Sequence, residues 1–305
     1  MTYDPRIAPL FDIPTLREIK EKPMVKQREY FAAQSEAYLK SQEWPKVNVS
    51  EIKVGNIRFL HYKPQIKTQT AILYIHGGGW CLGSPESYDH ICRHLCEKTN
   101  AQIFSLGYRL APENPFPAAH KDALFACDWL INNAENFAFD PNNLTIMGDS
   151  AGGNLATVVC HERASAGKIM PIAHVLIYPA VDHSKTYPSE TKFNHPKYHL
   201  TTPWYKMFKD SYLNNESDAQ HPMISPILYP SHKGLPDTLI LAATHDILVD
   251  GIVAFEKDLK RDGVNVETYY DETMFHGYVG LVGFFDEALV AVEKCAEFIC
   301  KKTPD

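Results

Sequence analysis

The sequence has 305 residues, a formal net charge of −7 and seven cysteines. At about 150 residues per domain, this length gives one large domain or two small ones, and a chain of that size buries enough surface to need no staples. An apolar share of 45% with a charged share of 22% is that of a globular chain and excludes intrinsic disorder.

The excess of Asp and Glu over Lys and Arg leaves no basic face for nucleic acid, so no nucleic-acid partner is expected. No run approaches the ~18 apolar residues of a membrane span. The N-terminal stretch MTYDPRIAPLFDIPTLREIKEK lacks the apolar core of a secretory signal. The cysteines, at 81, 92, 96, 127, 160, 295 and 300, are odd in number and scattered. Free thiols in a reducing cytoplasm account for that pattern better than a disulfide framework.

In chain order, residues 1–45 carry a helical pattern and precede the first strands, as an N-terminal cap. Residues 46–54 and 56–62, split by Gly55, alternate as an antiparallel hairpin does. Near-continuous apolar runs follow at 71–75, 102–106, 144–147, 173–178 and 238–242. Such runs suit parallel strands covered on both faces. Residues 264–269 give the last strand. Between them, 87–98, 118–132, 150–164, 250–262 and 284–301 show apolar spacing near 3.6, the period of a helix. The alternation predicts an α/β fold with a mostly parallel sheet. A core in two parts, 46–182 and 221–305, is interrupted at 183–220 by a segment rich in Pro, His, Tyr and Trp. An insertion of that length reads as a lid.

The strongest local signal is Gly148-Asp149-Ser150-Ala151-Gly152-Gly153 between a strand and a helix. In a G-x-S-x-G turn the central serine adopts strained backbone angles, and the glycines let strand and helix cross closely. Ser150 is therefore the expected nucleophile. Asp149 beside it is expected to be structural.

A second signal, His76-Gly77-Gly78-Gly79, directly follows a strand. Freed backbone N–H groups there can hold a developing oxyanion. The expected donors are Gly78 and Gly79 with Ala151; which of Gly77, Gly78 and Gly79 donate is not fixed by the residues. His76 reads as a brace for the loop.

A serine hydroxyl needs a base, and the base an orienting acid. Asp246 follows the run at 238–242 and His276 follows the run at 264–269, in the chain order Ser, acid, His. Asp250, four residues after Asp246, is the rival acid. The spacing of His90 and His94 with Cys92 and Cys96 could bind zinc on a helix face, but it equally makes an amphipathic helix and has no second ligand cluster. No metal is expected there.

These segments together resemble the hormone-sensitive lipase family of α/β-hydrolase esterases. The matching stretches are HGGGW (76–80), YRLAPE (108–113), PFPAA (115–119), GDSAGGNLA (148–156), LTTPWYKMFKDSYL (200–213), SPI (225–227) and FHGY (275–278). The resemblance implies an eight-stranded α/β-hydrolase sheet with a helical cap, and a carboxylesterase triad of Ser150, Asp246 and His276 acting without a cofactor. It also implies acetyl-esterase-like action on a small-molecule ester of short acyl chain. One departure stands out: the family's D-P-L-x-D-E around the acid is here Asp246-Ile247-Leu248-Val249-Asp250-Gly251. Trp80, Trp204, Tyr205 and Phe208 are expected to meet the substrate. Amide deacetylation, lipase action and a non-catalytic receptor are the alternatives on the same frame. The last strand should lie at a sheet edge, and edges invite pairing, so a homodimer across it is a further expectation.

Overall fold

The computed structural model of the chain gives the structure of residues 18–303; the first 17 residues of the expected N-terminal cap lie outside the described residues. The apolar runs form strands that are wholly buried: β3 (Ala71–Ile75), β5 (Leu144–Asp149) and β6 (Ala173–Ile177) expose no residue. With β1 (Asn48–Val54), β2 (Ile57–Lys63), β4 (Gln102–Gly107), β7 (Asp237–His245) and β8 (Val266–Phe275) they make one eight-stranded sheet. Its order is β1-β2-β4-β3-β5-β6-β7-β8. The β1–β2 hairpin and the β2–β4 pair are antiparallel; every other pair is parallel.

Parallel neighbours require crossover helices, and the amphipathic segments supply them. These are α2 (Asp89–Thr99), α3 (Ala118–Asn132), α4 (Ala151–Ser165), α7 (Val249–Arg261) and α8 (Asp286–Lys302). Helix α2 packs on α8, and α3 on α4. Helix α4 starts hard against the sheet: a Cβ on Gly152 would overlap the Ile75 carbonyl oxygen at the end of β3. Only glycine permits that crossing, and it brings the start of α4 beside the ends of β3 and β5.

The last strand runs longer than the apolar pattern suggests. Residues 264–269 are followed by the polar Asp271, Glu272 and Thr273, which read as a strand end. The structure instead continues β8 to Phe275, with an irregular register opposite Ala243 and His245. Asp271 Oδ1 accepts from the amides of Thr273 and Met274, so the polar residues stabilise a local turn within an edge strand. Residue 276 therefore leaves the sheet directly.

Three helices lie over the strand ends: α1 (Met24–Lys40), α5 (Pro188–Lys192) and α6 (Thr202–Tyr212). Arg28 fastens α1 to the core. It donates to the carbonyls of Cys81 and Ala111 and pairs with Glu113. Tyr212 anchors the end of α6. Its ring stacks on Trp80 with centroids 4.7 Å apart, its hydroxyl meets His120 Nδ1 at 2.8 Å, and its carbonyl accepts from Phe116 N–H. Phe31 and Trp204 meet edge to face at 5.9 Å, joining α1 to α6.

Candidate active site

Ser150 occupies the bend between β5 and α4 with φ 52° and ψ −117°. Such angles cost a non-glycine residue of order 1–3 kcal/mol and persist only where the surroundings enforce them. The enforcement is visible: Ser150 N–H donates to Ile177 O at 2.8 Å, and Ala180 N–H donates to Ser150 O at 3.1 Å. The bend aims the hydroxyl out of the sheet at the start of α4, where unpaired amides gather.

His276 and Asp246 converge on it. Ser150 Oγ lies 2.8 Å from His276 Nε2, and His276 Nδ1 lies 2.6 Å from Asp246 Oδ2. The carboxylate accepts, so Nδ1 carries the proton and Nε2 faces the hydroxyl with its lone pair. Asp246 is almost fully buried, and its second oxygen takes the amide of Leu248 at 2.9 Å. The Tyr178 ring leans on the imidazole at 4.7 Å. The rival Asp250 lies elsewhere. Its Oδ2 accepts from Ser189 N–H at 2.9 Å, tying α5 to the first turn of α7.

The glycine loop divides its labour differently from the expectation. Gly77 was a candidate oxyanion donor. Its amide instead donates to Asp149 Oδ1 at 2.8 Å, and it does not face the cavity beside Ser150. Gly78, Gly79 and Ala151 do. The sequence could not separate three consecutive glycines; the acceptor that claims the first of them is 72 positions away. His76 is a brace: Nδ1–H donates to Gly77 O at 2.8 Å, and the ring stacks on Tyr108 at 4.3 Å. Burial lowers its pKa to about 4, so the ring is neutral.

Asp149 gathers three donors: Gly77 N–H, Tyr74 OH at 3.1 Å and Tyr88 OH at 3.2 Å. Burial pushes its carboxyl up to about 6 against the pull of those bonds. Deleting the acceptor strands buried donors at about 1–3 kcal/mol each. Asp149→Ala is therefore expected to lower the melting temperature and to cost about 10²-fold in kcat, the scale of one misplaced oxyanion donor. Asp149→Asn keeps an oxygen for Gly77 and should retain most of the activity. Steady-state kinetics alongside thermal melts check both; equal losses in the two variants contradict the assignment.

Ser150 opens on a cavity of about 490 Å³. Trp80, Trp204, Tyr205 and Phe208 all line it, as do Leu200 and Leu248. The Phe208 ring lies directly on Gly79. A further wall, Arg28, Phe31, Ala32 and Ser35, comes from α1 and was not named from sequence. The four positions share one helical face by their i, i+3, i+4, i+7 spacing, but Arg28 and Ser35 are polar, so no apolar stripe marked that face in the sequence. Three of the four zinc-spaced residues of α2 pack into the fold. His90 Nε2–H donates to Gly280 O at 2.9 Å, while Cys92 and Cys96 are fully buried.

Residues 72–280 match the family described by the α/β-hydrolase fold. The chain belongs to this α/β-hydrolase family. The hydrolase is 35% identical to the carboxylic ester hydrolase LipN of Mycobacterium tuberculosis, over 77% of this chain and 65% of LipN. It is 34% identical to the ethyl acetate hydrolase of Pseudomonas putida, over 72% of this chain and 69% of that protein. Its structure superposes on that of the Francisella virulence factor BioJ with a TM-score of 0.94 and 46% identity, covering 98% of this chain and 100% of that one.

Proposed function

We propose that this hydrolase is a serine carboxylesterase of acetyl-esterase type, acting on small esters of short acyl chain. What supports the reading above all is the hydrogen-bonded chain Ser150 Oγ–His276–Asp246, with links of 2.8 and 2.6 Å, opening on a mainly apolar cavity. Ser150 attacks the ester carbonyl while His276 Nε2 takes its proton. The buried Asp246 carboxylate holds the imidazole in the required tautomer and stabilises the imidazolium. The amides of Gly78, Gly79 and Ala151 receive the oxyanion. His276 then protonates the departing alcohol, and the same base activates water to release the acid.

A volume of about 490 Å³ lies within the range that takes drug-sized ligands, roughly 300–1,000 Å³. It exceeds what an acetyl group needs, so the alcohol part of the ester takes much of it. The Phe31–Trp204–Phe208 wall, with Phe208 against Gly79, limits the acyl side.

A p-nitrophenyl ester series from acetate to laurate, run with fluorophosphonate labelling, tests this. Labelling at Ser150 and a kcat/KM that is greatest from acetate to butyrate are expected. A profile rising beyond octanoate makes it a lipase. An unlabelled, inactive protein makes the fold a binding module instead.

A further inference from the structure

We infer that His199 of the inserted segment is a positioning residue for the base: it latches the cap onto the backbone of His276 and holds the imidazole in line with Ser150. The inference rests on the esterase reading and deepens it.

His199 sits just before α6, with φ 66° and ψ −72°. Leu200 N–H donates to Tyr198 O at 2.8 Å across it. That is a three-residue γ-turn of the rare, strained hand, at a residue with a full side chain. The backbone strain turns the ring into the wall of the catalytic cavity, where it meets three consecutive residues of the base loop. Nδ1 lies 3.0 Å from the His276 carbonyl oxygen. The ring meets Phe275 edge to face at 6.2 Å. It also fills the space above Gly277, whose φ of +88° and missing Cβ make room; a Cβ there would stand 2.9 Å from His199 Nδ1.

The carbonyl can only accept, so His199 Nδ1 carries the proton. Burial lowers the ring's pKa to about 4, so this neutral tautomer persists over the working range. The geometry matters because His276 is the first residue beyond β8. Its side chain is aligned by Asp246, but its main chain has left the ladder. The His199 bond is the contact that the inserted segment makes with that main chain. A shift of ~1 Å at a base can cost about 10²-fold in rate.

Two substitutions separate the donor from the strain. His199→Gly relieves the γ-turn and removes the donor. His199→Asn tolerates positive φ and can still donate an N–H to the carbonyl. The expected result for His199→Gly is a 10- to 100-fold fall in kcat on p-nitrophenyl butyrate, with little change in KM and an unchanged or raised melting temperature. The far-downfield proton signal of the His276–Asp246 bond should weaken with it. His199→Asn should recover kcat to within about threefold, on the same scale. If His199→Gly fails to fold, His199→Ala is read in the same way. Wild-type kcat and an intact downfield signal in the donor-less variant overturn the inference, as does an equal loss in His199→Asn. Failure of the esterase reading looks different: the wild-type protein itself would then be neither active nor labelled.

Discussion

Ser150→Ala is expected to lower kcat toward p-nitrophenyl acetate by about 10⁴- to 10⁶-fold while leaving the fold intact. The size follows from the nucleophile being the one group that bonds to the substrate. What remains is the modest rate supplied by binding and by the amides of Gly78, Gly79 and Ala151. Alanine keeps the bend at φ 52° under the same strain, so the melting temperature should stay near that of wild type. Ser150→Gly is the informative companion. It removes the hydroxyl and also the Cβ that makes those angles costly, so it should be equally inactive yet melt a few degrees higher, as relief of about 1–3 kcal/mol would give. Purified Ser150→Ala that still turns over ester would remove Ser150 from the mechanism. Calorimetry on the glycine variant checks the strain.

Mild acid is expected to unfold the protein cooperatively, in the region of pH 5 to 6. The buried histidines include His61, His76, His90, His120, His161, His174 and His183. Burial lowers the first four to about 4 and the last three to about 3. Their unfolded value is about 6.5. A lowered folded pKa means that the unfolded chain takes up the proton first. Stability is complete above about pH 6.5 and falls as pH drops through that value toward 4. At pH 5 each histidine withdraws about 2 kcal/mol, and a domain has only about 5–15 kcal/mol in total. Asp149 acts in the opposite sense. Its carboxyl is raised to about 6, so its protonation relieves a buried charge as pH falls, but one group does not offset seven. Near-UV circular dichroism across a pH titration measures the effect. A native spectrum retained at pH 4 would contradict the expected loss of stability.

Much of the frame was legible because local physics fixes it. The strain at Ser150 and the crossing at Gly152 demand one sequence pattern, and that pattern sits between an apolar run and a helical one. Asp246 and His276 could be found because each follows a strand of the same parallel sheet. What stayed hidden depends on distant partners. That Gly77 spends its amide on Asp149, that β8 continues through Asp271 to Phe275, and that Arg28 and Phe31 wall the cavity are facts of packing between remote segments. His199 carried no signal at all: its role arises from an unusual backbone turn in a segment whose composition said only that it was aromatic.

Helix α1 has a consequence for how members of this family diverge. The family match spans residues 72–280 and contains Ser150, Asp246, His276 and the glycine loop. Arg28, Phe31, Ala32 and Ser35 form one side of the cavity at Ser150 and lie outside that span. The cavity wall is thus drawn partly from outside the matched span, on α1, and partly from inside it, at Trp80, Trp204, Tyr205 and Phe208. Substitutions along one helical face can retune which esters enter while the reacting atoms stay untouched. Two proteins alike across the shared region can therefore prefer different esters, and exchanging the first forty residues between relatives is a direct way to transfer a preference without rebuilding the machinery.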